Sequence, residues 1–110
     1  MLFFLFSPIS SYQVKEDSQM LRLWNLADGR ALVYQTVSRR CIEGPCPKDA
    51  LKPDYYAYVF DGAKKLLFVS TSGKLKLQDG RIASVGTDGY LRIIDSSSIA
   101  YTETHYVTKY

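Results

Sequence analysis

Lys74-Leu-Lys-Leu-Gln-Asp-Gly-Arg-Ile-Ala-Ser-Val-Gly-Thr-Asp-Gly-Tyr-Leu-Arg-Ile-Ile-Asp95 holds three short apolar runs separated by two Asp-Gly pairs. The runs are Leu75 to Leu77, Ile82 to Val85 and Tyr90 to Ile94. Asp and Gly accept the positive φ that a tight hairpin turn requires, and Leu, Ile, Val and Tyr suit a pleated, half-buried surface. The stretch therefore predicts an antiparallel meander.

The same punctuation continues outward. Asp28-Gly29, Asp61-Gly62 and Ser72-Gly73 each sit between runs of Leu, Val, Tyr and Phe. Tyr55 to Phe60 reads as a strand with Tyr56, Tyr58 and Phe60 on one face. Lys65 to Thr71 is apolar on both faces, which predicts a central strand. Met20 to Leu26 fits a strand, with Met20, Arg22, Trp24 and Leu26 on one side, or a helix capped at Asp17 or Ser18. The following Asp-Gly and the run Ala31 to Val37 favour a hairpin. Tyr12 to Gln19 is polar and reads as a lead-in. Ser96 to Ser98 reads as a loop. Tyr101 to Tyr110 alternates and reads as a terminal strand at a sheet edge. The expected fold is all-β: an antiparallel meander of about seven to eight short strands, closed as a small barrel or sandwich.

The chain has 110 residues, enough for a single core, here assigned to one domain over 12–110. Its hydrophobic share of 46% and charged share of 23% are those of a folded globular protein. The net charge of +3 is carried by scattered pairs such as Arg39-Arg40 and Lys64-Lys65. Nucleic-acid binding wants a concentrated basic stripe, so no nucleic-acid partner is expected. Nine of the aromatic residues are Tyr and one is Trp. Tyr supplies contact area at low entropic cost, so a Tyr-bearing face or edge formed by Tyr56, Tyr58 and Tyr106 is a candidate binding surface.

The amino terminus opens with Met1-Leu-Phe-Phe-Leu-Phe6 and continues through Ser-Pro-Ile-Ser-Ser11. The apolar run is much shorter than the ~20 residues a membrane helix needs. Three readings fit it: the remnant of a secretory signal, a first strand or apolar anchor, or a tip that associates with a membrane surface. Residues 1–11 are accordingly set apart as a leader.

Cys41 and Cys46 lie in Arg39-Arg-Cys-Ile-Glu-Gly-Pro-Cys-Pro-Lys48, where Gly44 and Pro45 can fold the chain back far enough for a disulfide. A cysteine pair in a small chain behind an apolar leader indicates an extracytoplasmic compartment, periplasmic or secreted. Arg39 to Asp54 also holds three prolines and reads as the longest loop. Loops of this length carry function disproportionately, so Arg39, Arg40, Glu43 and Lys48 are candidate binding residues.

The residues Leu21-Arg-Leu-Trp-Asn-Leu-Ala-Asp-Gly-Arg30 and Gly86-Thr-Asp-Gly-Tyr-Leu-Arg-Ile-Ile-Asp95 resemble parts of β-propeller blades of the quinoprotein and WD-repeat kind. The resemblance covers about a third of the chain. The two endings stand farther apart than the ~40–50 residues of a blade repeat. The resemblance therefore implies an interaction module that is a fragment or assembles with copies.

No catalytic set emerges. His105 is the single histidine, two residues from Glu103, and reads as a surface pair, with metal or acid–base use as the alternative. Two Cys and one His fall short of the four ligands of a structural zinc site. There is no strained Gly-x-Ser-x-Gly elbow and no phosphate-cradling glycine loop. Four of the eleven acids belong to Asp-Gly turns. The expectation is a non-catalytic, exported protein-binding domain without cofactor or metal. Its partner is another protein, such as a cell-envelope or secretion component or a target to be inhibited. A cytosolic blade-like module is the alternative, and a small hydrolase or metal enzyme the third reading.

Overall fold

A computed structural model of the chain describes residues 12–68, 73–95 and 101–110, with only the backbone described at 101 and 102. The leader and the serine loop lie outside them, as does the end of the predicted strand Lys65 to Thr71. The described residues are all-β, with a short 3-10 turn between the second and third strands: β1 (Gln13–Asn25), β2 (Ala31–Glu43), the turn Lys48–Leu51, β3 (Asp54–Asp61), β4 (Lys64–Leu67), β5 (Leu75–Lys76), β6 (Ile82–Val85), β7 (Tyr90–Ile94) and β8 (Tyr101–Tyr106). They form two antiparallel sheets, β1-β2-β3-β4 and β5-β6-β7-β8, each in chain order and neither closed into a barrel. The five glycines of the predicted turns all have positive φ, between 65° and 106°. At Gly29 a Cβ would meet nothing within 4 Å, so conformation alone calls for glycine there.

The core lies between the sheets. From the first sheet come Trp24, Leu32, Tyr34, Ala57 and Val59, and from the second Leu75, Ala83, Leu91 and Ile93. Alternation puts these side chains on facing surfaces. Burying a Leu or Ile fully is worth about 1.5–3 kcal/mol, so this layer dominates stability. Arg22 of β1 meets β8, at one edge of the second sheet, while Leu26 meets Leu77 just past β5, at the other. The carboxyl-terminal segment leaves β8 and bridges β3 in parallel, Lys109 to Tyr56.

Several expectations need correction. The polar lead-in is strand: Gln13 to Gln19 pairs with Thr36 to Glu43, lengthening the first hairpin into a ribbon. Arg39, Arg40 and Glu43 therefore lie in β2 and not in a loop. Cross-strand ion pairs, Arg39 with Glu16 and Arg40 with Asp17, replace the apolar contacts that sequence patterning looks for. β4 is an edge strand and not a central one, with Leu67 43% exposed. A register shift between Met20 and Arg22 turns Met20 to the face opposite Arg22 and Trp24.

Candidate functional site

The outer face of the first sheet carries a second apolar surface. Leu23 stands opposite Val33, Val33 opposite Tyr58, and Tyr58 opposite Leu67, giving one apolar row across all four strands. The adjacent row runs Met20, Gln35 and Tyr56. Val33 is 2% exposed although it faces away from the core, because its neighbours in these rows cover it. Met20, Leu23 and Leu67 remain exposed.

Local contacts hold this face in shape. The Tyr58 hydroxyl donates to Gln35 Oε1 at 2.6 Å. Its ring packs edge-on to Phe60, with centroids 5.6 Å apart. Lys65 lies over both rings, its Nζ 5.0 Å from the Tyr58 centroid and 5.7 Å from that of Phe60. A shallow cleft of about 260 Å³ opens among Gln35, Val37, Tyr56, Tyr58, Lys65 and Leu67. Its floor is apolar and aromatic, and its polar groups are one amide, one ammonium and tyrosine hydroxyls. That combination suits side-chain burial from a protein surface, with few groups positioned for chemistry.

Of the sequence-predicted residues, Tyr56 and Tyr58 share this face. Tyr106 lies elsewhere, beside Tyr90 at 5.4 Å and Tyr55 at 6.3 Å between centroids. Cys41 and Cys46 form a disulfide with Cα atoms 5.9 Å apart, at the far end of the ribbon. Arg39 is committed to structure: it donates to Glu16, to the Lys52 carbonyl and to Asp54. Its hydrogen bonds to Asp54 and Glu16 raise its pKa further above the usual arginine value. Arg40 pairs with Asp17 at 3.2 Å. Glu43 stands opposite Gln13 in the register. Lys48 is exposed in the 3-10 turn.

Glu103 and His105 share one side of β8, and that side faces inward: their register partners Ile93 and Leu91 are buried. The expected surface pair is therefore a half-buried link between the sheets. His105 Nε2 lies 3.0 Å from Glu103 Oε2, and Arg22 donates to Glu103 Oε1 at 2.5 Å. The His105 ring sits 5.8 Å from Trp24 and 4.8 Å from Tyr34. The Tyr34 hydroxyl donates to the Tyr106 carbonyl at 2.7 Å, and burial raises its pKa, with Tyr55 adding to the effect. No group of three or more metal-ligating side chains occurs among the described residues.

Beside the edge of β1 that no described strand pairs with lies a larger groove of about 470 Å³, between Arg22 to Asn25 and the turn from Leu77 to Arg81. Trp24 lines it and is almost wholly buried. Its indole Nε1 has no hydrogen-bond partner among the described residues. Sequence reading missed this groove, yet a signal for it exists. Leu26-Ala-Asp-Gly-Arg30 and Leu77-Gln-Asp-Gly-Arg81 repeat one pattern, and the two turns meet at the groove's end.

No family model matches the chain, and neither the curated proteins nor the solved structures contain a significant match to it.

Proposed function

We propose that this chain is a non-catalytic protein-binding domain whose working surface is the outer face of the first sheet. The observation that carries the reading is the row Leu23, Val33, Tyr58 and Leu67, which gives the sheet a second apolar face beyond the one spent on the core. Rigid tyrosines beside exposed Leu and Met are the composition of a protein contact. The Cys41–Cys46 disulfide supports an exported protein, periplasmic or secreted.

The test is quantitative recovery of bound protein from cells expressing the full chain. Leu67→Glu places a charge on the face at an exposed position and is expected to abolish recovery. Lys48→Ala, on the ribbon's distal loop, is expected to leave it intact. Loss with Lys48→Ala and retention with Leu67→Glu would move the working surface to the disulfide loop.

A second reading, the cytosolic interaction module of the propeller-blade kind, draws on the four-strand meander β5 to β8. It predicts reduced thiols at Cys41 and Cys46 in the cell. Thiol trapping before lysis separates the two: blocked cysteines support export, and freely alkylated ones support the cytosolic module.

A further inference from the structure

We propose that the open edge of β1, at the groove beside Leu23 and Asn25, takes an extended segment of the partner by strand addition, with acidic residues on the segment's inward side. The proposal rests on the protein-binding reading and specifies how part of the partner is held.

The direction of the backbone groups follows from one hydrogen bond. Leu26 N–H donates to the Arg30 carbonyl at 2.8 Å, so Leu26 faces β2. Backbone groups alternate sides along an antiparallel strand, so Trp24 also faces β2 while Leu23 and Asn25 face the other way. The Asn25 carbonyl confirms this by accepting from Gln78 N–H at 2.9 Å. Pairing with the second sheet stops there, because the chain turns away through Asp79 and Gly80. The next groups along the edge are the Asn25 N–H and the Leu23 C=O and N–H. They face the 470 Å³ groove, and no turn or loop bond among the described residues reaches them. A row of open backbone groups beside an existing strand is a template for one more strand.

The side chains define the segment's chemistry. An added strand turns alternate residues to the two faces of the sheet. On the outer side its neighbours are Met20 and Leu23, both exposed, which favours apolar residues. On the inner side stands Arg22, whose guanidinium spends one short bond on Glu103 and keeps its side chain 45% exposed. Its remaining N–H donors are available to a carboxylate. Arg81 also lines the groove, but its guanidinium is paired with Asp79 through Nε at 2.8 Å, so Arg22 carries the preference for a carboxylate. The amides of Asn25 and Gln78 make no side-chain hydrogen bond among the described residues and can meet peptide groups.

The test uses synthetic peptides of roughly ten residues, a usual strand length, one alternating valine with glutamate and one valine with lysine, titrated into the isotopically labelled full chain. The glutamate peptide is expected to protect the Leu23 and Asn25 amides from exchange and to bind at least about tenfold more tightly than the lysine peptide. Leu23→Pro removes an edge-facing N–H, which an edge strand tolerates, together with the leucine side chain, whose loss alone is measured with Leu23→Ala and is expected to leave most of the binding in place. Leu23→Pro is expected to weaken binding at least about tenfold while the unfolding midpoint stays near wild type. Should that variant not fold, Arg22→Gln serves instead and is expected to erase the preference for glutamate. Absence of glutamate-peptide binding overturns the proposal, as does undiminished binding by folded Leu23→Pro or an unchanged preference in Arg22→Gln. Self-association through β1 in sedimentation, with no peptide bound, assigns the edge to a second copy and also overturns it. If Leu67→Glu abolishes recovery of the cellular partner while Leu23→Pro does not, edge pairing fails and the protein-binding reading stands.

Discussion

Leu26 and Leu77 face each other across a local twofold, each at the start of the same Leu-x-Asp-Gly-Arg turn. The hydrogen bonds around them are reciprocal. Ala27 N–H donates to the Lys76 carbonyl and Gln78 N–H to the Asn25 carbonyl, both at 2.9 Å. Within each turn the leucine N–H reaches the arginine carbonyl at 2.8 Å. Each arginine returns to its own aspartate through backbone N–H and Nε. The two sheets are thus joined by a pair of equivalent hairpins whose leucines are both buried.

This seam predicts a coupled loss. Leu26→Ala and Leu77→Ala should each cost about 2–5 kcal/mol, the usual range for deleting a buried leucine side chain. The double variant should depart from additivity by about 0.5–3 kcal/mol, because the residues are in contact. Urea unfolding of the four proteins measures the coupling, and strict additivity would deny the seam.

The turns predict acid sensitivity with a definite sign. Hydrogen bonds lower the pKa of three aspartates: Asp28 chiefly through the Arg30 side chain, Asp79 chiefly through the Arg81 backbone N–H, and Asp88 chiefly through the Arg92 side chain. A carboxyl whose folded pKa is depressed contributes stability above its unfolded value, about 3.9, and loses it as pH falls through the folded value. All three are solvent-exposed, so the effect is screened. The urea midpoint should decline as pH drops below about 4, and less steeply with Asn at all three positions. Equal slopes in both proteins would contradict this.

Packing and charge at the mouth between the sheets should contribute unequally. Trp24→Ala removes a buried indole and should cost about 3–5 kcal/mol. Glu103→Gln breaks the Arg22 and His105 contacts, but those side chains are partly exposed, so its cost should be about 1 kcal/mol or less. Denaturant midpoints rank the two variants, and a larger loss from Glu103→Gln would make the polar link the main fastening.

Reducing Cys41–Cys46 should be mild. The bridge spans a sequence separation of 5, and so short a ring constrains the unfolded chain by only about 2 kcal/mol. The far-ultraviolet spectrum should persist after reduction. Faster amide exchange should be confined to the distal ribbon, near Gln13 and Glu43, and to the following 3-10 turn. Global unfolding on reduction would show that the ribbon holds the core together.

Turn chemistry is what made the fold legible. The Asp-Gly pairs mark hairpins because they satisfy a local backbone requirement that no distant contact has to supply, and Gly29, Gly62, Gly80 and Gly89 carry it out. The ribbon was hidden because Lys15, Glu16 and Asp17 form a strand through pairing with Arg39 and Arg40, and polar cross-strand pairs leave no apolar period to read. The outer face was half legible. Tyr56 and Tyr58 alternate visibly, but their meeting with Leu23 and Leu67 depends on register, which joins residues far apart in the chain. The bulge after Met20 shifts one side chain to the other face, and periodicity alone does not locate such a shift.

Site-specific photo-crosslinking in the native host tests the central claim most directly, with the photoreactive residue placed either at Leu67 on the outer face or at Thr87 in an exposed turn of the second sheet. The account predicts a discrete protein adduct from position 67 and none from position 87. An adduct from position 87 alone, or from neither, would contradict it.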